Sequence, residues 1–204
     1  MDLVSKHADL SKHAVAALST VLLLGACTQK TTGGDPAAAE IKAGAQLAQA
    51  GKIPEAIAEF DKAIKVNPQS SMAYNNRGLM KSKLRNYKEA LADFNKAIEI
   101  DPKYAGAYTN RGSLYDEVGM VQQAKDDFDR AIALNPQDAA PYVNRAFENM
   151  KLSNFERAVA DYSTAIELDA NDGALYRYRA YAYEKLGKKN EAAADTAKAK
   201  SLEK

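Results

Sequence analysis

The sequence predicts an all-α solenoid of five helix-turn-helix units. Three observations carry this. Residues of one type recur at a constant step of 34: Pro68, Pro102 and Pro136; Tyr74, Tyr108, Tyr142 and Tyr176; Arg77, Arg111, Arg145 and Arg179. Self-similarity at such a period is the signature of stacked supersecondary units. Within one step, Ala90, Phe94, Ala97 and Ile98 follow intervals of three and four, which places them on one face of a helix. No insertion breaks the step between Ala56, Ala90, Ala124, Ala158 and Ala192. Composition agrees with a globular chain: 46% apolar, 27% charged. Twenty-eight Lys and Arg against 27 Asp and Glu leave a formal charge of +1, far from the basic excess with which nucleic-acid binders displace counterions, so no nucleic-acid partner is expected. One Cys and two His, His7 and His13, supply neither a disulfide framework nor a metal cluster, so no cofactor or metal is expected.

The chain begins with a different kind of segment. Lys6 and Lys12 precede the apolar run Ala14 to Ala26, which is shorter than the roughly 20 residues a bilayer span needs and contains Ser19 and Thr20. It fits the apolar region of an export signal. Leu24-Gly25-Ala26-Cys27 resembles the lipobox of bacterial lipoproteins. That resemblance implies a signal peptide over residues 1–26, cleavage before Cys27, and acylation of Cys27, a palmitate-type anchor in the cell envelope. Thr28 in place of Asp after the Cys implies the outer membrane, facing the periplasm. Asp2 and Asp9 offset the two lysines, and a start at Val4 would remove the first of them; a mis-set start leaves a cytoplasmic scaffold as the alternative. Residues 27–36 are then expected to be the Cys that the resemblance implies is lipidated and a flexible tether, with Gly33-Gly34 and no apolar side chain from Thr28 to Pro36. Nine extended residues reach at most about 30 Å.

The units follow at 37–70, 71–104, 105–138, 139–172 and 173–204, each with two antiparallel helices. Asp35-Pro36 supplies a cap and a first-turn proline for the first helix, and Asn86, Asp138, Asn154 and Asp172 stand at helix starts where their side chains can accept orphan amide hydrogens. Gly78 and Gly112, with Ala146 and Ala180 in the same column, are small so that paired helices approach closely. The fifth unit carries Ala193, Thr196 and Lys200 where inner units carry Leu91, Phe94 and Ile98, which makes it a polar cap.

Tyr74, Gly78, Ala90, Phe94, Ala97 and Pro102, repeated as Tyr108, Gly112, Ala124, Phe128, Ala131 and Pro136, resemble the pattern of the tetratricopeptide repeat (TPR) family from about Ala37 to Lys204. The resemblance implies a right-handed superhelix whose first helices line a concave groove. It places on that wall Lys42 and Gln49; Met72, Asn75, Asn76, Leu79 and Lys83; Thr109, Asn110, Ser113 and Glu117; Val143, Asn144, Phe147 and Lys151; Arg177, Tyr178, Tyr181 and Lys185. The column Asn76, Asn110, Asn144 has two open readings. A carboxamide can bond both the N–H and the C=O of a bound peptide, and rungs about 8–10 Å apart would meet an extended chain at about every third residue. Alternatively the three amides bond neighbouring helices. Leu79, Phe147, Tyr178 and Tyr181 add an apolar side to the groove. The Lys/Asn clamp of another TPR subgroup is not met, since Ile41 and Ala45, or Asn75 and Leu79, stand at its positions.

Arg77, Arg111, Arg145 and Arg179 share their units with Asp93, Asp127, Asp161 and Asp195, which predicts a charge-neutral seam between helices, weak if exposed. The expected function is non-catalytic: a membrane-anchored adaptor that holds a protein or peptide client in its groove, with no small-molecule substrate. It resembles TPR lipoproteins that recruit envelope enzymes, and equally the pilotins that assist secretin or pilus assembly. Once the signal is removed no His remains and no thiol free of lipid, so an enzyme is disfavoured.

Overall fold

The computed structural model describes residues 35–202. The expected signal peptide, Cys27 and the expected tether as far as residue 34 lie outside the described residues. Ten α-helices and no strand occur among them: α1 (Ala38–Gln49), α2 (Ile53–Val66), α3 (Ser71–Lys83), α4 (Tyr87–Ile100), α5 (Ala105–Glu117), α6 (Val121–Leu134), α7 (Ala139–Lys151), α8 (Phe155–Leu168), α9 (Gly173–Lys185) and α10 (Lys189–Leu202). Consecutive helices pack as hairpins, the helical-repeat architecture expected from the 34-residue step. The chain divides into two compact units at Asn110/Arg111, inside α5.

In the first unit α1 packs on α2 and α3 on α4. The core holds Ile41, Phe60, Met80 and the small residues Ala56, Ala63 and Ala73, flanked by the half-buried Leu47, Ile57, Met72 and Leu79. Tyr104 and Ala107, at the start of α5, close over Ala97 of α4. Close approach of the paired helices depends on missing side-chain atoms: a Cβ at Gly44 would lie 2.6 Å from the Phe60 ring and one at Gly78 2.9 Å from Phe94. Asp35 fastens the leading edge, accepting from the Ala37 amide at 2.9 Å, Asn67 Nδ2 at 2.9 Å and Ser70 Oγ at 2.6 Å. Burial opposes its ionisation, but these three bonds hold the carboxyl below its usual range. Pro36 lies in the turn before α1 and not in its first helical turn.

In the second unit α7 packs on α8, α9 on α8, and α9 on α10. Phe128 fills the space beside Gly112, where a Cβ would meet its ring at 2.7 Å. Phe147 of α7, Tyr162 of α8 and Tyr178 of α9 form a three-ring cluster, with centroid separations of 5.9, 4.9 and 5.9 Å. These edge-on and tilted geometries suit the ring quadrupoles. In α10 Ala193 and Lys200 are exposed and Thr196 is half-buried.

Helix starts divide into two kinds. Ser70, Asp138 and Asp172 cap α3, α7 and α9, accepting from the amides of Ala73, Ala140 and Ala174. Asn86 and Asn154 stand at the N-cap positions of α4 and α8 but make no side-chain cap bond, contrary to expectation. There the chain reverses through a residue with positive φ, and the Asn backbone amides bond back to Lys81 and Asn149 carbonyls at 3.0 and 2.8 Å. The positive-φ residue itself recurs at the repeat step: Gly51, Arg85, Gly119, Ser153 and Gly187, with φ of 75°, 62°, 79°, 59° and 73°. Arg85 and Ser153 hold a conformation that costs L-residues about 1 kcal/mol or more.

The Arg–Asp seam is present and more buried than predicted. Arg77 donates through Nε and Nη2 to Asp93 at 2.9 and 2.6 Å, and Arg145 in the same way to Asp161 at 3.1 and 2.6 Å. Arg111–Asp127 and Arg179–Asp195 repeat the fork. All four aspartates are buried. A third arm ties three of the hairpins to the one before: Arg77 Nη1 reaches Asp61, Arg145 Nη1 reaches Asp129, and Arg179 Nη1 reaches Ser163. Tyr74, Tyr142 and Tyr176 lie under the guanidinium carbons of Arg77, Arg145 and Arg179 at 5.4, 5.8 and 5.8 Å. These carboxylate bonds outweigh burial and raise the pKa of Arg77 and Arg145 further above the ordinary guanidinium range.

Candidate functional site

The residues expected to meet a ligand all fall on the first helices of the hairpins. In the first unit, α3 carries Asn75, Asn76, Leu79 and Lys83, and α5 begins the second group with Asn110. Asn75 and Asn76 are only 1% and 3% exposed. Asn75 Nδ2 donates to the Tyr104 hydroxyl at 3.2 Å and to Asn76 Oδ1 at 3.4 Å, while its Oδ1 accepts from Asn110 Nδ2 at 2.9 Å. The Asn75 amide thereby ties α3 to Tyr104 and Asn110, while the Asn76 bond stays within α3. A buried amide carries a desolvation cost that such partners offset. Leu79 is half-buried and packs against the core around Met80, and Lys83 is exposed at the end of α3.

In the second unit, Asn144 Nδ2 donates to Ser113 Oγ at 3.2 Å, again joining two successive first helices. Phe147 and Tyr178 face each other inside the aromatic cluster, with Phe147 half-buried and Tyr178 buried. Arg177, Tyr181 and Lys185 follow one another at four-residue spacing along α9, with Arg177 and Lys185 exposed and Tyr181 half-buried. Lys185 Nζ rests 5.0 Å from the Tyr181 ring centroid. This face of α9 thus carries a cationic and aromatic stripe, with Lys185 stacked on Tyr181.

Lys151, at the end of α7, bonds Asp116 of α5 and, at 2.8 Å, Glu148 Oε1. Glu148 is fully buried, and sequence reasoning missed it. Its column is occupied by exposed Gln46 in α1 and by buried, apolar Met80 in α3, Leu114 in α5 and Ala182 in α9, so one carboxyl among the three hydrophobes of the later hairpins was the available signal. Among the described residues no group of three or more His, Cys, Asp and Glu is placed to hold a metal ion, and no helix is long and apolar enough to cross a membrane.

Family models for tetratricopeptide repeats match residues 71–104 and 105–138; related TPR models match 44–84 and 148–201. The chain belongs to the TPR family. Comparison with curated proteins finds no match. Among solved structures it is similar to MamA, at 25% identity over 78% of this chain and 94% of that one, with a TM-score of 0.68. It is similar also to pilF of Pseudomonas aeruginosa, at 18% identity, 82% and 76% coverage and a TM-score of 0.77. A third is YrrB, described as a TPR protein with an unusual peptide-binding site, at 19% identity, 82% and 87% coverage and a TM-score of 0.61. The last two likenesses establish the fold alone. A TPR fold implies an interaction role with protein or peptide partners, and such repeat proteins are typically non-catalytic scaffolds.

Proposed function

We propose that this chain is a non-catalytic adaptor, lipid-anchored on the periplasmic side of the cell envelope, that binds a polypeptide segment on the exposed faces of its first helices. The observation that carries the binding reading is the α9 stripe of exposed Arg177 and Lys185 with half-buried Tyr181, on a helix whose Tyr178 packs on Phe147. Asn144 and Lys151 on α7 are its proposed companions in the second unit; in the first unit Leu79, Lys83 and Asn110 are proposed contacts in their own right, with the buried Asn75 tying α3 to Asn110. YrrB's peptide-binding site is in keeping with that use of the fold. Recruitment of envelope enzymes and assistance to envelope assembly are two forms of the same binding.

The binding reading is tested by affinity capture from envelope extracts with the full chain. The variant Arg177→Ala/Tyr181→Ala is expected to lose its client at least tenfold while keeping its helical circular dichroism. Capture unchanged in that variant would remove α9 from the site.

Anchoring rests on Leu24-Gly25-Ala26-Cys27. Several acyl chains, each buried methylene contributing about 0.8 kcal/mol, would hold the protein at the outer membrane. Labelled palmitate is expected to be incorporated into the wild-type chain and not into Cys27→Ser, with globomycin blocking maturation. A soluble, unacylated wild-type product would overturn the anchor.

A further inference from the structure

Glu148 is an ionisable group at a repeat position that Met80, Leu114 and Ala182 fill with buried apolar side chains, and the charged groups it meets are Lys151 and Asp116. It is 0% exposed. Oε1 accepts from Lys151 Nζ, and Oε2 is buried with no hydrogen-bond partner. Lys151 also bonds Asp116, so two carboxyls, one from α5 and one from α7, share a single ammonium. The other acidic groups that reach α7 are engaged elsewhere: Asp129 of α6 bonds Arg145, and Asp161 of α8 bonds Arg145 and Asn149. The α9 side presents Tyr178 to Phe147. With both carboxyls ionised the cluster carries a net negative charge, part of it on a desolvated oxygen without a donor. One added proton on Glu148 makes the cluster neutral and removes the repulsion between the two helices.

We propose that Glu148, Asp116 and Lys151 form a proton-operated latch between α5 and α7, closed while Glu148 is protonated and loosened when it ionises. Asn144 and Ser113 bridge the same two helices, so loosening the latch alters the spacing of the surface they share. Burial first, and then the facing Asp116, push the Glu148 carboxyl up to about 7, with Lys151 opposing, which puts the transition within the physiological range. Because the folded group binds its proton more tightly than a free glutamate does, its stabilising contribution is complete below the usual glutamate range. It is lost as pH rises through about 7. Any effect on client capture rests on the binding reading above, whereas the latch is tested without a client, so the two can fail separately.

The test is carboxyl-carbon and amide NMR on the full chain between pH 5 and 9, with urea unfolding at pH 5.5 and 8.5. Glu148 is expected to titrate near neutrality, and the Asp116 backbone amide and Asn144 side-chain amide to shift with the same midpoint. The wild-type unfolding constant should rise by about tenfold or more, relative to Glu148→Gln, between the two pH values. If Glu148→Gln folds poorly, Glu148→Met, which places the residue of the Met80 position in this column, is the second comparison. A Glu148 midpoint in the ordinary glutamate range would overturn the proposal. So would helix signals that stay still through the titration, or equal pH dependence in wild type and variant.

Discussion

Arg145→Ala is expected to cost about 3–5 kcal/mol, read as a fall in the urea midpoint of the far-ultraviolet signal. The substitution removes both forked bonds to Asp161, which is 6% exposed, and leaves that carboxylate with the single donor Asn149 Nδ2 at 3.1 Å. It also severs the arm to Asp129, which joins α7 to α6, and uncovers the Tyr142 ring. The loss is therefore dominated by an under-compensated buried charge and only secondarily by the removed attraction. Arg145→Lys should recover little, because an ammonium is a point charge and cannot supply two parallel donors to one carboxylate. Asp161→Asn in the Arg145→Ala background should recover a larger part by removing the stranded charge. A loss below about 1 kcal/mol for Arg145→Ala would mean that the pair behaves as a solvated surface salt bridge.

The seam illustrates where sequence was informative. The 34-residue step placed Arg145 and Asp161 on facing helices, because periodicity fixes which side of a helix a residue occupies. It did not show how deeply the pair lies or that Nη1 reaches back to Asp129, since both depend on the neighbouring hairpin. The same limit applies to Asn75 and Asn76: their position on the first-helix face was legible, while the Tyr104 hydroxyl and Asn110 amide that meet Asn75 come from the turn before α5 and from α5 itself. The left-handed turn residue was hidden for a chemical reason, as Gly marks it at 51, 119 and 187 but Arg85 and Ser153 fill it elsewhere. Glu148 was hidden by habit of pattern, because a charged residue at helical spacing reads as a solvated one until α5 and α7 are seen to enclose it.

The Gly–Phe pairing across each early hairpin gives the second large effect, and a way to separate packing from propensity. Phe128→Ala is expected to cost about 3–5 kcal/mol, since the ring is 1% exposed and its removal leaves a cavity between α5 and α6. Gly112→Ala alone should cost about 1–3 kcal/mol, although alanine is the better helix former, because the new Cβ would stand 2.7 Å from the Phe128 ring and 3.1 Å from the Ala124 carbonyl oxygen. In the double variant the ring clash is gone and only the carbonyl approach remains, so the helix preference for alanine offsets part of what is left. The combined loss should fall short of the sum of the single losses by about 1 kcal/mol or more, measured as a double-mutant cycle in urea. The fourth hairpin already tolerates such an exchange, with Ala146 in the glycine column and Tyr162 drawn instead toward Phe147 and Tyr178. Additivity within about 0.5 kcal/mol would mean that the glycine is kept for its backbone and not for the ring beside it.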